Sequence, residues 1–117
     1  MKLCWTLAAL IAFAPAARAE VRTQEADYSQ DGTALQGVFA WDDAVQGKRP
    51  GVLVVHEWWG LNQHARNQAK RLAGAGYVAF ALDMYGKGKV TTHPADAQAF
   101  AQEVAKNPEL MPRTRSR

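Results

Sequence analysis

Two short apolar runs with twenty-one residues between them limit this chain more than any other feature. Gly51-Val52-Leu53-Val54-Val55 is β-branched and aliphatic throughout, the pattern of a strand covered on both faces. Tyr77 to Leu82, with Val78, Ala79, Phe80 and Ala81, is a second such run and stops at Asp83. Between them Asn62 is placed to cap a helix over Gln63 to Ala73. Leu61, Ala65, Ala69, Leu72 and Ala73 fall on one side of that helix, and Gln63, Arg66, Asn67, Lys70 and Arg71 on the rest. Gly74 and Gly76 end it. Strand, helix and strand in this span form a βαβ unit, which requires the two strands to be parallel and the crossover right-handed.

The flanking segments extend the pattern. Val21 to Ser29 is rich in strand-permissive residues, Asp31-Gly32 is a hairpin turn signal, and Leu35 to Trp41 reads as the returning strand. Asp42 to Arg49 is a polar loop closed by Pro50. Gly86 to Lys89 is a further loop, and Pro94 to Lys106 a second helix with Ala97, Phe100, Ala101 and Val104 on its apolar face. Pro108 and Pro112 prevent that helix from continuing. The fold class is therefore α/β, with parallel core strands preceded by a hairpin and followed by a helix.

The first nineteen residues stand apart. Lys2 is a short positive region, Leu3 to Ala14 is apolar but too short to span a bilayer, and Ala17-Arg18-Ala19 is a small-x-small cleavage site before Glu20. This reads as a secretory signal peptide and implies an exported, periplasmic or secreted protein. Its removal from 117 residues leaves 98, takes away the single cysteine, Cys4, and with Lys2 and Arg18 lowers the net charge from +3 to +1. The mature chain can then form no disulfide, and its charge gives no reason to expect nucleic acid or, after cleavage, a membrane as partner. A chain of that size is one small domain of marginal stability.

Chemistry concentrates where the two strands end. His56-Glu57 suggests half a zinc motif, but H-E-x-x-H needs a second imidazole where Gly60 stands, and the pair ends a strand rather than lying on a helix. No metal or cofactor is expected, and His56 reads as a structural loop residue. Sites in open α/β sheets form beyond the carboxyl ends of the strands. On that rule Glu57, Trp58, Trp59, Tyr85 and Lys87 converge on one edge of the sheet. The plainer alternative has both indoles capping the core and Glu57 solvated.

G-V-L-V-V-H-E-W-W-G-L-N followed by R-L-A-G-A-G-Y-V-A-F-A-L-D-M-Y-G-K-G-K resembles the N-terminal half of the dienelactone hydrolase family, a branch of the α/β-hydrolases. The likeness covers about Tyr28 to Met111 and implies a partial α/β-hydrolase fold over residues 20–112. It also implies a hydrolase of carboxylic esters or lactones. Glu57 matches the family's carboxylate that contacts the nucleophile, and Trp58 the residue that lends a backbone N–H to the oxyanion hole. Lys87 stands where the family has an arginine that binds substrate carboxylate, so the charge is kept and the bidentate geometry lost. Tyr85 either lines the substrate pocket or packs at the strand end, and Trp59 is placed with the substrate-binding residues.

The family's G-x-[CS]-x-G elbow, with an Asp and a His after it in chain order, is missing from this sequence. Ser29 and Ser116 lie outside any such elbow, and residues 113–117 read as a polar tail, with a truncated end, a frameshifted end and a natural short form all open as its origin. The expectation is a chain that is inactive alone, with Gly51 to Val55 an unpaired apolar edge open to self-association. Two other readings stay open: an exported module that binds an anionic aromatic or sugar ligand through Trp58, Trp59 and Lys87, and an inert gene product.

Overall fold

The computed structural model describes residues 20–107. The expected signal peptide and polar tail lie outside them. Six elements occur in chain order: β1 (Val21–Gln30), β2 (Thr33–Asp42), β3 (Gly51–Val55), α1 (Gln63–Gly74), β4 (Val78–Leu82) and α2 (Pro94–Lys106).

β1 and β2 form a hairpin ten residues deep, in register from Val21 opposite Asp42 to Gln30 opposite Thr33. Its two-residue loop has positive φ at both positions, 46° at Asp31 and 79° at Gly32. That is the turn whose twist matches the flanking strands, and Asp-Gly is a pair that tolerates it.

The four strands make one mixed sheet in the order β1-β2-β4-β3. β4 runs antiparallel to β2, with Phe80 opposite Phe39, and parallel to β3, with Phe80 opposite Leu53. The βαβ unit is therefore present with its strands parallel and adjacent. The core is only partly parallel, because the hairpin joins β4 through β2.

α1 forms as its sequence directs. The Asn62 carboxamide oxygen accepts from Ala65 N–H at 3.2 Å, a helix N-cap. At the other end Gly76, at φ 98°, lets Gly76 N–H reach Ala73 C=O and Tyr77 N–H reach Leu72 C=O. The helix packs Ala65, Ala69 and Ala73 against Val38, Ala40, Ala79 and Ala81 of the sheet. This is mostly alanine on alanine, which brings the backbones close but buries little volume. No large side chain in the described residues is fully buried.

The opposite face of the sheet differs from the expectation for β3. Val52 and Val54 are half-buried on the α1 side, but Leu53 is 63% exposed and Val55 57%. β3 is covered on one face, not two. Phe39, itself 40% exposed, stacks on Phe80 at 4.5 Å, and Tyr28 on Phe80 at 5.9 Å, so this open face is apolar across β2, β4 and β3. Among the described residues β3 has one neighbour, β4, and forms the edge of the sheet.

Candidate functional site

The loop after β3 and the loop after β4 open on the same end of the sheet because their strands are parallel. Four contacts tie them together. His56, buried, accepts from Met84 N–H through Nε2 at 3.0 Å. With Nε2 an acceptor, Nδ1 carries the ring proton and donates to the Glu57 carbonyl at 2.7 Å. Both ring nitrogens are engaged within the protein, and neither is left for a metal. The Tyr85 hydroxyl donates to the Trp58 carbonyl at 3.1 Å, and Thr91 N–H to the Trp59 carbonyl at 3.1 Å.

The fourth contact is steric. Gly60 has φ 89°, and a Cβ placed on it would lie 2.3 Å from the Lys89 carbonyl oxygen. Only glycine satisfies both the backbone angle and that approach. Gly60 N–H closes the turn by donating to the Glu57 carbonyl at 3.3 Å.

This pattern fixes one peptide plane. The Glu57 carbonyl accepts from both His56 and Gly60, and the N–H of Trp58, in the same plane, must point the opposite way. Among the described residues Trp58 N–H has no acceptor. A fixed, unpaired backbone donor at a strand end is the geometry an oxyanion hole requires.

Glu57 carries its carboxylate outward. Its side chain is 71% exposed, and its nearest basic group is His64, with Nε2 at 4.0 Å. Trp58 is 42% exposed and lies 5.3 Å from Trp59, the two indoles tilted by 59°. Tyr85 is buried, edge-on to His56 at 4.7 Å and against Phe100 of α2 at 5.5 Å. Burial raises the pKa of its phenol. Of the two readings of Tyr85, these contacts describe a packing residue that holds Trp58 rather than one facing a ligand.

Lys87 does not join the group. Its ammonium pairs with Asp27 of β1 at 2.9 Å, and its N–H donates to the Ala34 carbonyl. β1 lies three strand spacings from β3, about 14 Å at ordinary sheet geometry. Trp58, Trp59 and Tyr85 thus contact one another, while Glu57 faces His64 and Lys87 faces Asp27 of β1.

Asp83 is a residue whose contacts the sequence did not disclose. Its buried carboxylate accepts from Tyr85 N–H and Gly86 N–H through one oxygen and from Gln36 N–H through the other. It builds the β4 loop, and these three bonds commit it to structure rather than to proton transfer. Tyr28 exchanges two hydrogen bonds with the Asp83 backbone, and burial raises the pKa of its phenol. A cavity of about 80 Å³ lies beside Asp83, lined by Gln36, Leu61, Arg66 and the Gly86–Val90 loop. Glu57, Trp58 and Trp59 are not among its walls.

A mixed sheet with an N-terminal hairpin, a parallel β3-α1-β4 unit and functional groups at the strand ends defines an α/β-hydrolase-type protein. A crystallised dienelactone hydrolase-like promiscuous phosphotriesterase, P91, from metagenomic libraries superimposes with a TM-score of 0.70 at 36% identity. The match covers 77% of this chain and 37% of that one. A second structure, m3DLH, superimposes at 0.71 with 34% identity, over 77% of this chain and 39% of its own. Residues 35–115 match the dienelactone hydrolase family, and the chain belongs to it. Protein usf of Aquifex pyrophilus is 34% identical over 87 residues, 72% of this chain and 36% of that protein. A protein of Aquifex aeolicus (strain VF5), assigned provisionally as a carboxymethylenebutenolidase, is 36% identical over 69% of this chain and 35% of its own. The chain spans little more than a third of the length of these curated relatives.

Proposed function

We propose that the described domain is the oxyanion-side wall of a carboxylic-ester or lactone hydrolase site. The observation that carries this is the Trp58 N–H, unpaired among the described residues and fixed because the Glu57 carbonyl is held by His56 and Gly60. In the reaction, a nucleophile would attack the ester carbonyl, and the Trp58 N–H would stabilise the negative charge that develops on its oxygen. Glu57, outward-facing and exposed, would contact the nucleophile. Trp59 would border the acyl or alcohol portion of the substrate. Lys87 is not given a substrate role, since Asp27 holds it at the far strand.

The sequence contains no G-x-[CS]-x-G elbow. The proposal therefore has a second part: the 117-residue chain does not turn over esters by itself, and the wall acts only when an elbow, an Asp and a His are supplied. The signal-peptide pattern of the first nineteen residues supports an activity outside the cytoplasm. The reading as a ligand-binding module loses support, because its cation is paired with Asp27 of β1.

The test is p-nitrophenyl acetate hydrolysis by the chain alone and by a fusion carrying the C-terminal portion of a family relative. The chain alone should give the buffer rate, unchanged by Glu57→Ala. The fusion should give saturable turnover that falls on Glu57→Gln. Saturable turnover by the chain alone, lost on Glu57→Ala, would overturn the second part. Turnover by the fusion that is indifferent to Glu57 would overturn its assignment.

A further inference from the structure

We propose that His56 is an acid-sensitive latch between the two strand-end loops: a proton taken up at Nε2 parts the loops and releases the Glu57–Trp58 peptide. The latch stands on the packing of the described residues. Only its bearing on ester turnover rests on the hydrolase reading.

The closed form requires the neutral ring. His56 is 8% exposed, with Nε2 accepting from Met84 N–H at 3.0 Å and Nδ1–H donating to the Glu57 carbonyl at 2.7 Å. One ring proton satisfies both contacts. A second, on Nε2, would set a ring N–H against the Met84 N–H, donor on donor. It would need another acceptor, and those of the two loops are engaged. The Glu57 carbonyl takes Nδ1–H and Gly60 N–H, the Trp58 carbonyl the Tyr85 hydroxyl, and the Trp59 carbonyl Thr91 N–H. The Asp83 carboxylate takes three backbone N–H groups.

The charged groups of the surrounding elements are directed elsewhere. In the same loop, the Glu57 carboxylate faces His64 of α1. In the β4 loop, Tyr85 meets the ring edge-on at 4.7 Å with a phenol whose pKa burial raises. Lys87 and Lys89 pair with Asp27 of β1 and Glu103 of α2, and Arg66 of α1 pairs with Glu25 of β1. α2 reaches Tyr85 through Phe100, an uncharged contact. A buried imidazolium would thus lack a partner, which costs far more than burying the neutral ring.

The closed form therefore binds the second proton poorly, and the open form, with its ring in water, binds it well. Linkage makes acid favour the open form, by up to about tenfold in the open-to-closed ratio per pH unit for one proton. The window is about pH 8 to 5, where imidazoles change charge. On opening, the Glu57 carbonyl keeps only its Gly60 donor, and the peptide that carries the Trp58 N–H regains freedom to turn. On the proposed function, the oxyanion donor is then fixed at neutral pH and loosened in acid.

The test is nuclear magnetic resonance on the full chain from about pH 8 to pH 5. At the upper end, the ring-nitrogen shifts should place the proton on Nδ1, and a coupling across the hydrogen bond should join Met84 N–H to His56 Nε2. As the ring takes up its second proton, that coupling should vanish. Hydrogen-exchange protection at Met84 should fall with it, by up to about tenfold per pH unit. His56→Gln, whose amide oxygen can accept from Met84 N–H but does not titrate, should show no such fall. His64→Gln should show the parent's fall. Met84 protection that holds through the whole range, with the ring doubly protonated or not, would overturn the proposal, and this measurement needs no variant. An equal fall in His56→Gln, or its loss in His64→Gln, would overturn it too. None of these readouts involves an ester. Failure of the latch leaves the hydrolase reading standing, and an inactive fusion leaves the latch standing.

Discussion

Gly60→Ala measures how firmly the two strand-end loops are clamped, and the chain holds its own control. Gly60 and Gly76 have similar backbones, φ 89° and 98°. An alanine at either position must adopt a positive φ, at about 1–2 kcal/mol. They differ in what the new methyl meets. At Gly76 nothing lies within 4 Å. At Gly60 the Lys89 carbonyl oxygen is 2.3 Å away and Val90 Cα 3.3 Å, both backbone atoms that no rotamer change can move. Relief requires the β3 loop to part from the Gly86–Val90 segment, an overpacking cost of roughly 1–3 kcal/mol on top of the strain. Gly60→Ala should therefore unfold at a lower temperature than Gly76→Ala by about 4–8 °C for each kcal/mol of that difference. Thermal unfolding followed by circular dichroism checks this, at one fixed protein concentration because association shifts midpoints. The tryptophan emission of Gly60→Ala should also shift, since Trp58 and Trp59 sit in the displaced turn. Equal midpoints for the two variants would refute the clamp, and with it the argument that the Trp58 N–H is rigidly held.

The α1–sheet interface makes a complementary prediction. Ala69 is fully buried opposite alanines of β4, so Ala69→Leu should destabilise by roughly 1–3 kcal/mol or more, read as a lowered urea midpoint. The Lys87–Asp27 pair predicts acid behaviour. The hydrogen bond from Lys87, then that from Gln36, lowers the Asp27 pKa. A lowered folded-state pKa contributes stability above the unfolded value, near 3.9, that is lost as pH falls through the folded one. Urea midpoints measured from pH 5 down to pH 2 should thus fall less steeply for Asp27→Asn than for the parent chain, while near neutrality the two should show the same pH slope.

Much of the fold could be read from local chemistry. Asp31-Gly32 specified a turn with positive φ at both positions, Asn62 specified a cap, and Pro94 and Lys106 bounded α2. What could not be read depends on strand order. Apolar runs reveal the direction and length of β3 and β4 but not that β2 lies on the far side of β4, which is what carries Lys87 away from Glu57. For the same reason a continuous aliphatic run suggested two covered faces where Leu53 and Val55 have one open. Within the site, Glu57 and the two tryptophans announced themselves by being out of place at the end of an apolar strand. The roles of His56, Tyr85 and Asp83 did not, because their partners are backbone atoms, and a main-chain carbonyl or amide leaves no mark in a sequence.

Three successive carbonyl oxygens, those of Glu57, Trp58 and Trp59, are gripped by donors from His56, Gly60, Tyr85 and Thr91. The Glu57–Trp58 peptide, held at its carbonyl by two donors, cannot turn, and its N–H is a fixed positive end on the other side of the loop. That end is fixed in the folded loop and, on the proposed function, would need no reorientation when charge appears. It is also controlled from a distance. A change in the β4 loop that loosens Tyr85 or Thr91 would loosen the Trp58 turn without touching Trp58, so a site of the proposed kind would depend on residues that never meet a substrate.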